Sequence, residues 1–297
     1  MIEVSNLSKT YGDKTVLNNL NFKVQPGVIT GFVGPNGAGK STTMKIIMGL
    51  ERASGGQALI DGVPFSLAAN PARTLGCCLG PDFLPERMRG ADYLTYVCKV
   101  SNIPAVDIAS ALEYVGLEGA GKKRIADYSL GMKQRLGIAA ALLGNPDNIM
   151  FDEPINGLDV DAIRWVREVF IQLAKSGKTV FVSSHIMSEL EKVADRVIII
   201  QHGSVVSDGL VSELEANSKG ASDVIVKSAQ ANEVANLFTQ HNVAFTTQDD
   251  GKIVVSGMQA SDVGKLVFEN GLSLYHLENR TLNLEDVFME TKEAKNA

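Results

Sequence analysis

Eight consecutive residues that follow a predicted buried strand decide the fold of this chain: Gly34-Pro35-Asn36-Gly37-Ala38-Gly39-Lys40-Ser41. The apolar run Val28–Val33 indicates the strand, and the residues from about Ser41 to Met48 indicate a helix that ends at Gly49. The spacing fits the P-loop pattern, in which backbone N–H groups and a helix N-terminus surround a phosphate. A glycine-rich structural turn is the alternative, but the position between a strand and a helix favours a phosphate loop.

The P-loop pattern assigns a role to each part of this segment. Lys40 is predicted to reach the β- and γ-phosphates of ATP, which makes it a candidate catalytic residue, and Ser41 is predicted to give its hydroxyl to Mg²⁺. The other contacts are expected from backbone N–H groups that point into the loop. The residues predicted to bind the nucleotide here are Gly34, Pro35, Asn36, Gly37, Ala38, Gly39, Lys40, Ser41 and Thr42.

A second acidic element is expected to complete the metal site. The apolar run Asn148–Phe151 predicts a buried strand that ends in Asp152 and Glu153. A carboxylate pair at the end of a buried strand is costly unless a metal or a reaction uses it. Asp152 is therefore predicted to hold Mg²⁺, and Glu153 is predicted to be the general base that polarises water. Without the P-loop, the pair would fit an acidic turn at a strand end equally well.

The composition indicates a folded, acidic protein. Its 297 residues are 45% hydrophobic and 21% charged, which excludes the disordered, collagen-like and disulfide-scaffold classes. The 28 basic and 34 acidic residues give a net charge of −6, which argues against a nucleic-acid partner. Cys77, Cys78 and Cys98 have no metal-binding spacing, so buried, reduced thiols are expected.

The sequence predicts neither a membrane span nor a secretion signal. No apolar run approaches the roughly 18 residues that a span requires. The segment Met1–Gly12 carries polar groups where a signal peptide has an apolar stretch. We therefore expect a soluble, cytoplasmic protein, which could still dock onto a membrane protein.

Strand and helix signals alternate over the first two-thirds of the chain, which predicts an α/β fold with a mostly parallel, covered sheet. Residues 54–65 are expected to form short antiparallel strands, and residues from about 85 to 145 a helical subdomain. A linker is expected over residues 215–221, so that the predicted domains are residues 1–217 and 218–297.

The predicted second domain follows a different pattern. From Asp223 to Leu277 the signals have the order βαββαβ, and a closing helix is expected near Leu284–Lys292. That order is typical of the ferredoxin-like split unit, so a small α+β domain is predicted.

Five motifs in one order carry a family resemblance. The P-loop is followed by the segments Tyr128–Arg135, Phe151–Pro154, Asn156–Asp159 and Ser183–His185. This order resembles that of the ATP-binding cassette (ABC) ATPases, over roughly residues 2–215. The resemblance implies a P-loop NTPase cassette, with a mixed sheet and a helical subdomain, that binds and hydrolyses Mg-ATP.

The resemblance also implies roles outside the P-loop. Tyr11 stands where the family stacks an aromatic ring on adenine, with plain packing as the alternative. Ser129 and Gly131 match the signature motif, which binds the γ-phosphate of ATP held by another subunit, so two copies must pair head to tail. Asp159 matches the loop that couples the two sites, and His185 matches the switch histidine near the γ-phosphate. The histidines expected to be ordinary surface or core residues are His202, His241 and His276.

Three positions depart from the family pattern. Leu130 stands where the signature commonly has glycine, and Met132 where a common version has glutamine. Gly80 stands where the family usually has a glutamine that contacts Mg²⁺ and the membrane partner. Asp82 or Glu86 is a candidate replacement for that glutamine.

The branch that this chain resembles is the single-cassette ATPase of bacterial exporters, whose permease is a separate chain. The resemblance implies an ATP-hydrolysing subunit at the inner face of the cell membrane, paired with a second copy or a related cassette subunit beneath an integral membrane permease. A C-terminal segment like Leu284–Phe288 is common in that branch. Two alternatives stay open: a soluble cassette protein that acts on ribosomes or DNA, and a regulatory nucleotide-binding subunit with weak hydrolysis.

Overall fold

The computed structural model describes residues 1–104, 106–218, 223–248 and 251–279. It divides into two compact units, Met1–Leu210 and Val211–Ala297. Among the described residues, no helix combines the length and the apolar character needed to cross a membrane.

The first unit alternates strands and helices along most of its length. In chain order its elements are β1 (Ile2–Tyr11), β2 (Lys14–Val24), β3 (Ile29–Val33), α1 (Lys40–Ile47), β4 (Gly55–Ile60), α2 (Pro71–Thr74), β5 (Leu75–Cys78), α3 (Gly90–Val100), α4 (Ile108–Tyr114), α5 (Leu130–Leu142), β6 (Asn148–Asp152), α6 (Val160–Lys175), β7 (Thr179–Ser184), α7 (Met187–Leu190), β8 (Arg196–Gln201) and β9 (Ser204–Leu210).

A six-stranded sheet with the order β5-β6-β7-β3-β8-β9 forms the centre of this unit. The first five strands are parallel, and β9 runs antiparallel to β8. All residues of β3 and β7 are buried, as a parallel sheet covered on both faces requires. The prediction of a mostly parallel, covered sheet is therefore confirmed. Since β3, β6 and β7 are parallel neighbours, their carboxyl ends meet at one edge.

A second sheet with the order β2-β1-β4 is fully antiparallel. The expected antiparallel strands of residues 54–65 are only partly correct, because β4 pairs with β1 rather than with a strand of its own hairpin. After β4 the chain forms a single bridge between Ile60 and Val63. The rings of Phe22, Phe32 and Phe181 lie 5.3 to 5.8 Å apart and join this sheet to the central one. The pairing of β4 with β1 joins segments about 50 residues apart, so the local pattern of β4 does not encode it.

The helices α3, α4 and α5 share a core of their own within residues 84–143. Leu94, Leu112 and Leu136 are buried at its centre. The helix α5 also lies against β5, because Gly76 leaves no side chain between the two elements. A Cβ atom at Gly76 would lie 2.1 Å from the carbonyl oxygen of Ala141.

The second unit contains α8 (Val211–Ser218), β10 (Val224–Lys227), α9 (Ala231–Gln240), β11 (Phe245–Thr247), β12 (Ile253–Val255), α10 (Ala260–Glu269) and β13 (His276–Asn279). Its sheet is antiparallel with the order β11-β12-β10-β13. Val226, Phe238 and Val267 are fully buried between this sheet and the helices α9 and α10. The predicted ferredoxin-like βαββαβ order is confirmed.

Two expectations for this unit differ from the structure or lie outside it. Residues 215–218 belong to α8 rather than to a linker, since the segment Val211–Ser218 is rich in the helix formers Glu, Leu and Ala. The contact boundary accordingly follows Leu210, whereas residue 217 is the expected end of the first domain. The closing helix expected near Leu284–Lys292 lies outside the described residues.

The contact between β5 and α5 gives a stability test. We expect Gly76→Ala to lower the free energy of unfolding by about 1–3 kcal/mol, because the added methyl group must push α5 away from β5. Gly119→Ala is the matched control, since a Cβ there meets nothing within 4 Å, and it should stay within about 0.5 kcal/mol. Denaturant titration followed by fluorescence of the single tryptophan, Trp165, measures both variants. Equal free energies of unfolding for the two variants would contradict the close contact between β5 and α5.

Candidate functional site

The P-loop joins the end of β3 to α1 and is packed tightly on the sheet. Gly39 has φ 108°, a left-handed conformation that favours glycine, and a Cβ atom there would lie 2.4 Å from Cδ2 of Leu17. A Cβ atom on Gly34 would lie 2.3 Å from the carbonyl oxygen of Ile200. These two glycines are therefore required for the loop to lie against β2 and β8.

The ammonium group of Lys40 folds back over this loop. Its Nζ atom donates to the carbonyl oxygens of Gly34, at 2.7 Å, and Pro35, at 3.3 Å. It also lies 3.2 Å from Oε1 of Glu153, and the side chain is only 6% exposed. A cation with so little access to water needs a negative partner, and a carboxylate supplies it.

Asp152 is the last residue of β6, and Glu153 follows it at the edge where the parallel strands end. The hydroxyl of Ser183, at the end of β7, donates to Oδ1 of Asp152 at 2.5 Å. The same hydroxyl accepts from the backbone N–H of Glu153 at 3.0 Å. Glu153 has φ 51°, a conformation that is uncommon for residues other than glycine. Ser183 thus holds both acidic residues in place, a role that the sequence did not assign.

Glu153 connects Lys40 to His185, the histidine that matches the switch position of the family. Its Oε2 atom lies 2.8 Å from Nδ1 of His185 and accepts the backbone N–H of the same residue at 3.3 Å. One carboxylate therefore bridges an ammonium and an imidazole at the edge where the parallel strands end. When another anion neutralises Lys40, this carboxylate is free to accept a proton, which is the chemistry of a general base.

A cavity of about 580 Å³ opens above the P-loop, within the size range of ligand sites. Seven of its lining residues are predicted to bind the nucleotide or to act in catalysis. The other four were not predicted to belong to the site. The lining residues are Lys14, Thr15, Val16, Asn36, Gly37, Gly39, Lys40, Ser41, Thr42, Glu153 and His202.

His202 lines this cavity although the sequence gives no reason to place it there, and its expected role as an ordinary histidine stays a prediction. It lies in the turn between β8 and β9, with φ 46°. The next residue, Gly203, donates its N–H to Ala38 of the P-loop at 3.1 Å and accepts from Asn18 of β2 at 2.7 Å. Spacing along the chain gives no signal for this position. It follows from the strand order, which places β8 beside β3.

Tyr11 lies at the end of β1 and does not line the described cavity. Its hydroxyl donates to Glu51, and this hydrogen bond raises the pKa of the phenol. The ammonium of Lys9 stands 4.6 Å from the ring centre. The ring is 45% exposed. Its stacking on adenine stays a prediction, and so does the packing alternative.

The structure gives Ser129 and Asp159 local roles at helix starts. The hydroxyl of Ser129 accepts the N–H of Met132 at 3.2 Å and caps α5, and the carboxylate of Asp159 accepts the N–H of Ala162 at 2.8 Å and caps α6. Like Gly131, these residues are absent from the lining of the described cavity. Their predicted contacts with ATP of another subunit stay predictions.

The departures from the family pattern also have definite surroundings. A Cβ atom on Gly157 would lie 2.9 Å from Cδ2 of Leu130, so the side chain of Leu130 packs against that glycine. Glu86 pairs with Lys133 of α5 at 3.1 Å, while Asp82 lies in a short 3-10 turn, Pro81–Phe83. A replacement for the glutamine at Gly80 stays a prediction.

The donor set fits Mg²⁺. Ser41 lies in the first turn of α1 and Asp152 ends β6, so a hydroxyl and a carboxylate are available at the same sheet edge. Hard oxygen donors of this kind are the ligands that Mg²⁺ prefers.

Comparison with known proteins gives consistent matches over the whole chain. The model of the ABC transporter family matches residues 17–156, and a domain of unknown function matches residues 222–285. The bacitracin transport ATP-binding protein of Enterococcus faecalis is 33% identical over 97% of this chain and 95% of its own length. The corresponding protein of Bacillus licheniformis is 34% identical over 98% and 96%.

A solved dimeric structure of a bacterial ABC transporter cassette is also similar. It superposes with a TM-score of 0.65 at 25% identity, and the match covers 71% of this chain and 99% of that one.

The reactivity of the Cys78 thiol tests whether the end of β5 is buried at this edge of the sheet. Burial raises the pKa of Cys78, at the end of β5, from its ordinary value of 9.0 to about 11, and the charge of Asp152 acts in the same direction. The neutral thiol therefore favours the folded state below pH 9, and this contribution is lost as the pH rises towards 11.

We expect iodoacetamide at pH 8 to label Cys78 about 100-fold more slowly in the folded chain than in denaturant, because only the thiolate reacts. Mass spectrometry of the peptide containing Cys78 measures both rates. Equal rates in the two conditions would contradict the burial.

Proposed function

This chain belongs to the ABC transporter family of ATP-binding subunits, and we propose that it hydrolyses Mg-ATP to drive export through a separate permease subunit. Members of this family are ATPases coupled to transport. One observation carries the assignment of residues: Glu153 bridges Lys40 and His185 at the edge of the P-loop cavity.

ATP binding is proposed to begin with an exchange of partners at Lys40. The ammonium now contacts Glu153 and two carbonyl oxygens of the loop. The γ-phosphate carries more negative charge than one carboxylate and forms strong charge-assisted hydrogen bonds. The N-terminus of α1 and the loop N–H groups add positive potential at the same place. The phosphates therefore replace Glu153 as the partner of Lys40.

Ser41 and Asp152 are proposed to hold the metal. When bound there, Mg²⁺ would supply positive charge that offsets the negative charge of the ATP phosphates. Ser183 supports this role, because its hydroxyl bond to Oδ1 fixes the orientation of the Asp152 carboxylate. A positive charge there would offset the cost of partly burying the Asp152 carboxylate.

Glu153 is proposed to be the general base. After Lys40 turns to the phosphates, the carboxylate keeps its contact with His185, whose imidazole holds it in place. It then accepts a proton from the attacking water. Glu153 lines the cavity and contacts His185, which favours turnover over a purely regulatory nucleotide site.

The proposed assembly is a head-to-tail pair of cassettes beneath a permease. Ser129 and Gly131 would close the site of the second copy, with Asp159 between the two sites. Capping of α5 by Ser129 supports this, because a capped helix start is also positioned to meet an anion. The partner is a second copy or a related cassette subunit, and the location is the inner face of the cell membrane.

The catalytic residues are proposed to lie entirely in the first unit. The bridge from Lys40 through Glu153 to His185 falls before Leu210, where that unit ends. The second unit, with its own core, is proposed to be an accessory domain that supports pairing or contact with the permease.

Glu153→Gln tests the base directly. We expect turnover to fall by roughly 10²–10⁴-fold, because an amide cannot accept the proton. ATP affinity should stay equal or rise, since Lys40 loses the carboxylate that competes with the phosphates. Phosphate release measures turnover, and calorimetry measures affinity. Normal turnover in this variant would remove Glu153 from the role.

Lys40→Ala is the companion variant. It removes the cation rather than the base, so ATP affinity and turnover should fall together. Unchanged ATP affinity in Lys40→Ala would contradict the P-loop assignment, whatever the result for Glu153→Gln.

A further inference from the structure

The short helix α7 follows His185 in the chain and has little structure of its own. It is a single turn, Met187–Leu190, that begins two residues after His185. One turn of helix is not stable by itself, so contacts with other elements decide where it lies. Leu190 is 1% exposed and packs over Gly31 of β3, where a Cβ atom would lie 3.1 Å from its Cδ1.

The second anchor of α7 is an ion pair with α6. The guanidinium of Arg167 contacts the carboxylate of Glu189, and both side chains are largely buried, at 23% and 20% exposure. Burial lowers the pKa of Arg167, and its Nε atom has no hydrogen-bond partner among the described residues. Glu189 also contacts Lys192 at 3.0 Å, but that lysine is 56% exposed. Arg167 is therefore the partner that fixes Glu189 to another element.

The helix α6 is itself held firmly. Asp159 caps its first turn, and the ring of Trp165 lies under the guanidinium of Arg135 from α5, at 4.1 Å. Arg135 in turn donates to the carbonyl oxygen of Val115 at 2.9 Å. Because α6 is fixed to α5, the ion pair between Arg167 and Glu189 also fixes the position of α7.

We propose that Arg167 and Glu189 are positioning residues that hold His185 against the Glu153 carboxylate. The inference rests on the proposed function, because it concerns the same base. Only four positions separate His185 from Glu189, and the contact between Nδ1 of His185 and Glu153 is 2.8 Å long. Rotation of α7 about Leu190 would lengthen that contact and leave the carboxylate without its second partner. A buried pair of opposite charges adds little net stability compared with apolar residues, but it is directional.

The test uses the full chain and separates positioning from stability. Arg167→Gln and Glu189→Gln should each lower kcat by about tenfold or more, because small displacements of reacting groups are costly. ATP affinity measured by calorimetry should stay within about twofold, since neither residue lines the P-loop cavity. Arg167→Lys keeps the charge and should recover most of kcat. The exchanged double variant, Arg167→Glu with Glu189→Arg, should recover part of it.

Arg196→Gln is the matched control. It breaks the pair between Arg196 and Asp208, which has similar exposure, 30% and 26%, but joins β8 to β9 away from His185. Its kcat should equal that of the parent chain. Thermal unfolding of every variant identifies losses that come only from stability.

The kcat values of these variants decide whether Arg167 and Glu189 have the positioning role. That role is refuted if Arg167→Gln keeps the kcat of Arg196→Gln, or if Arg167→Lys and the exchanged variant are both as slow as Arg167→Gln. Glu153→Gln is measured in the same series. Full turnover there would refute the proposed function, whereas an inactive Glu153→Gln beside a fully active Arg167→Gln would refute the positioning role alone.

Discussion

The buried ammonium of Lys40 and its need for a negative partner organise this molecule. The parallel order of β3, β6 and β7 brings the P-loop, the two acids at the end of β6 and His185 to one edge. The carboxylate of Glu153 lies 3.2 Å from Nζ of Lys40 and supplies that partner. In the proposed mechanism, the same contact keeps the carboxylate from acting as a base. Binding of the phosphates to Lys40 and release of Glu153 would then be two results of one exchange.

The elements around this edge serve that exchange by restricting movement. Ser183 holds Asp152 and Glu153 through a single hydroxyl. The turn at Gly203 fastens the P-loop to β2 and β8. On the far side, the pair between Arg167 and Glu189 ties α7 to α6. Each contact crosses between elements that are distant in sequence, so the site depends on the whole first unit being folded.

Features formed by residues close together in the chain could be predicted from the sequence. Features that depend on the order of the strands could not. A strand, a glycine loop and a helix in succession suffice to predict the P-loop, and the apolar run before Asp152 suffices to predict the end of β6. The pairing of β4 with β1 and the place of His202 both depend on contacts between distant segments. The local pattern gives no signal for either. The small polar residues around 215–221 predict a linker, but the helix formers Glu, Leu and Ala extend α8 through residue 218.

A crystal structure of the full chain with Mg²⁺ and a non-hydrolysable ATP analogue tests the partner exchange most directly. The account predicts that Nζ of Lys40 lies about 3 Å from a phosphate oxygen. The Glu153 carboxylate should then be more than about 4 Å from Lys40, beyond ion-pair distance, and still in contact with His185. A bound analogue with the contact between Lys40 and Glu153 unchanged would contradict the account.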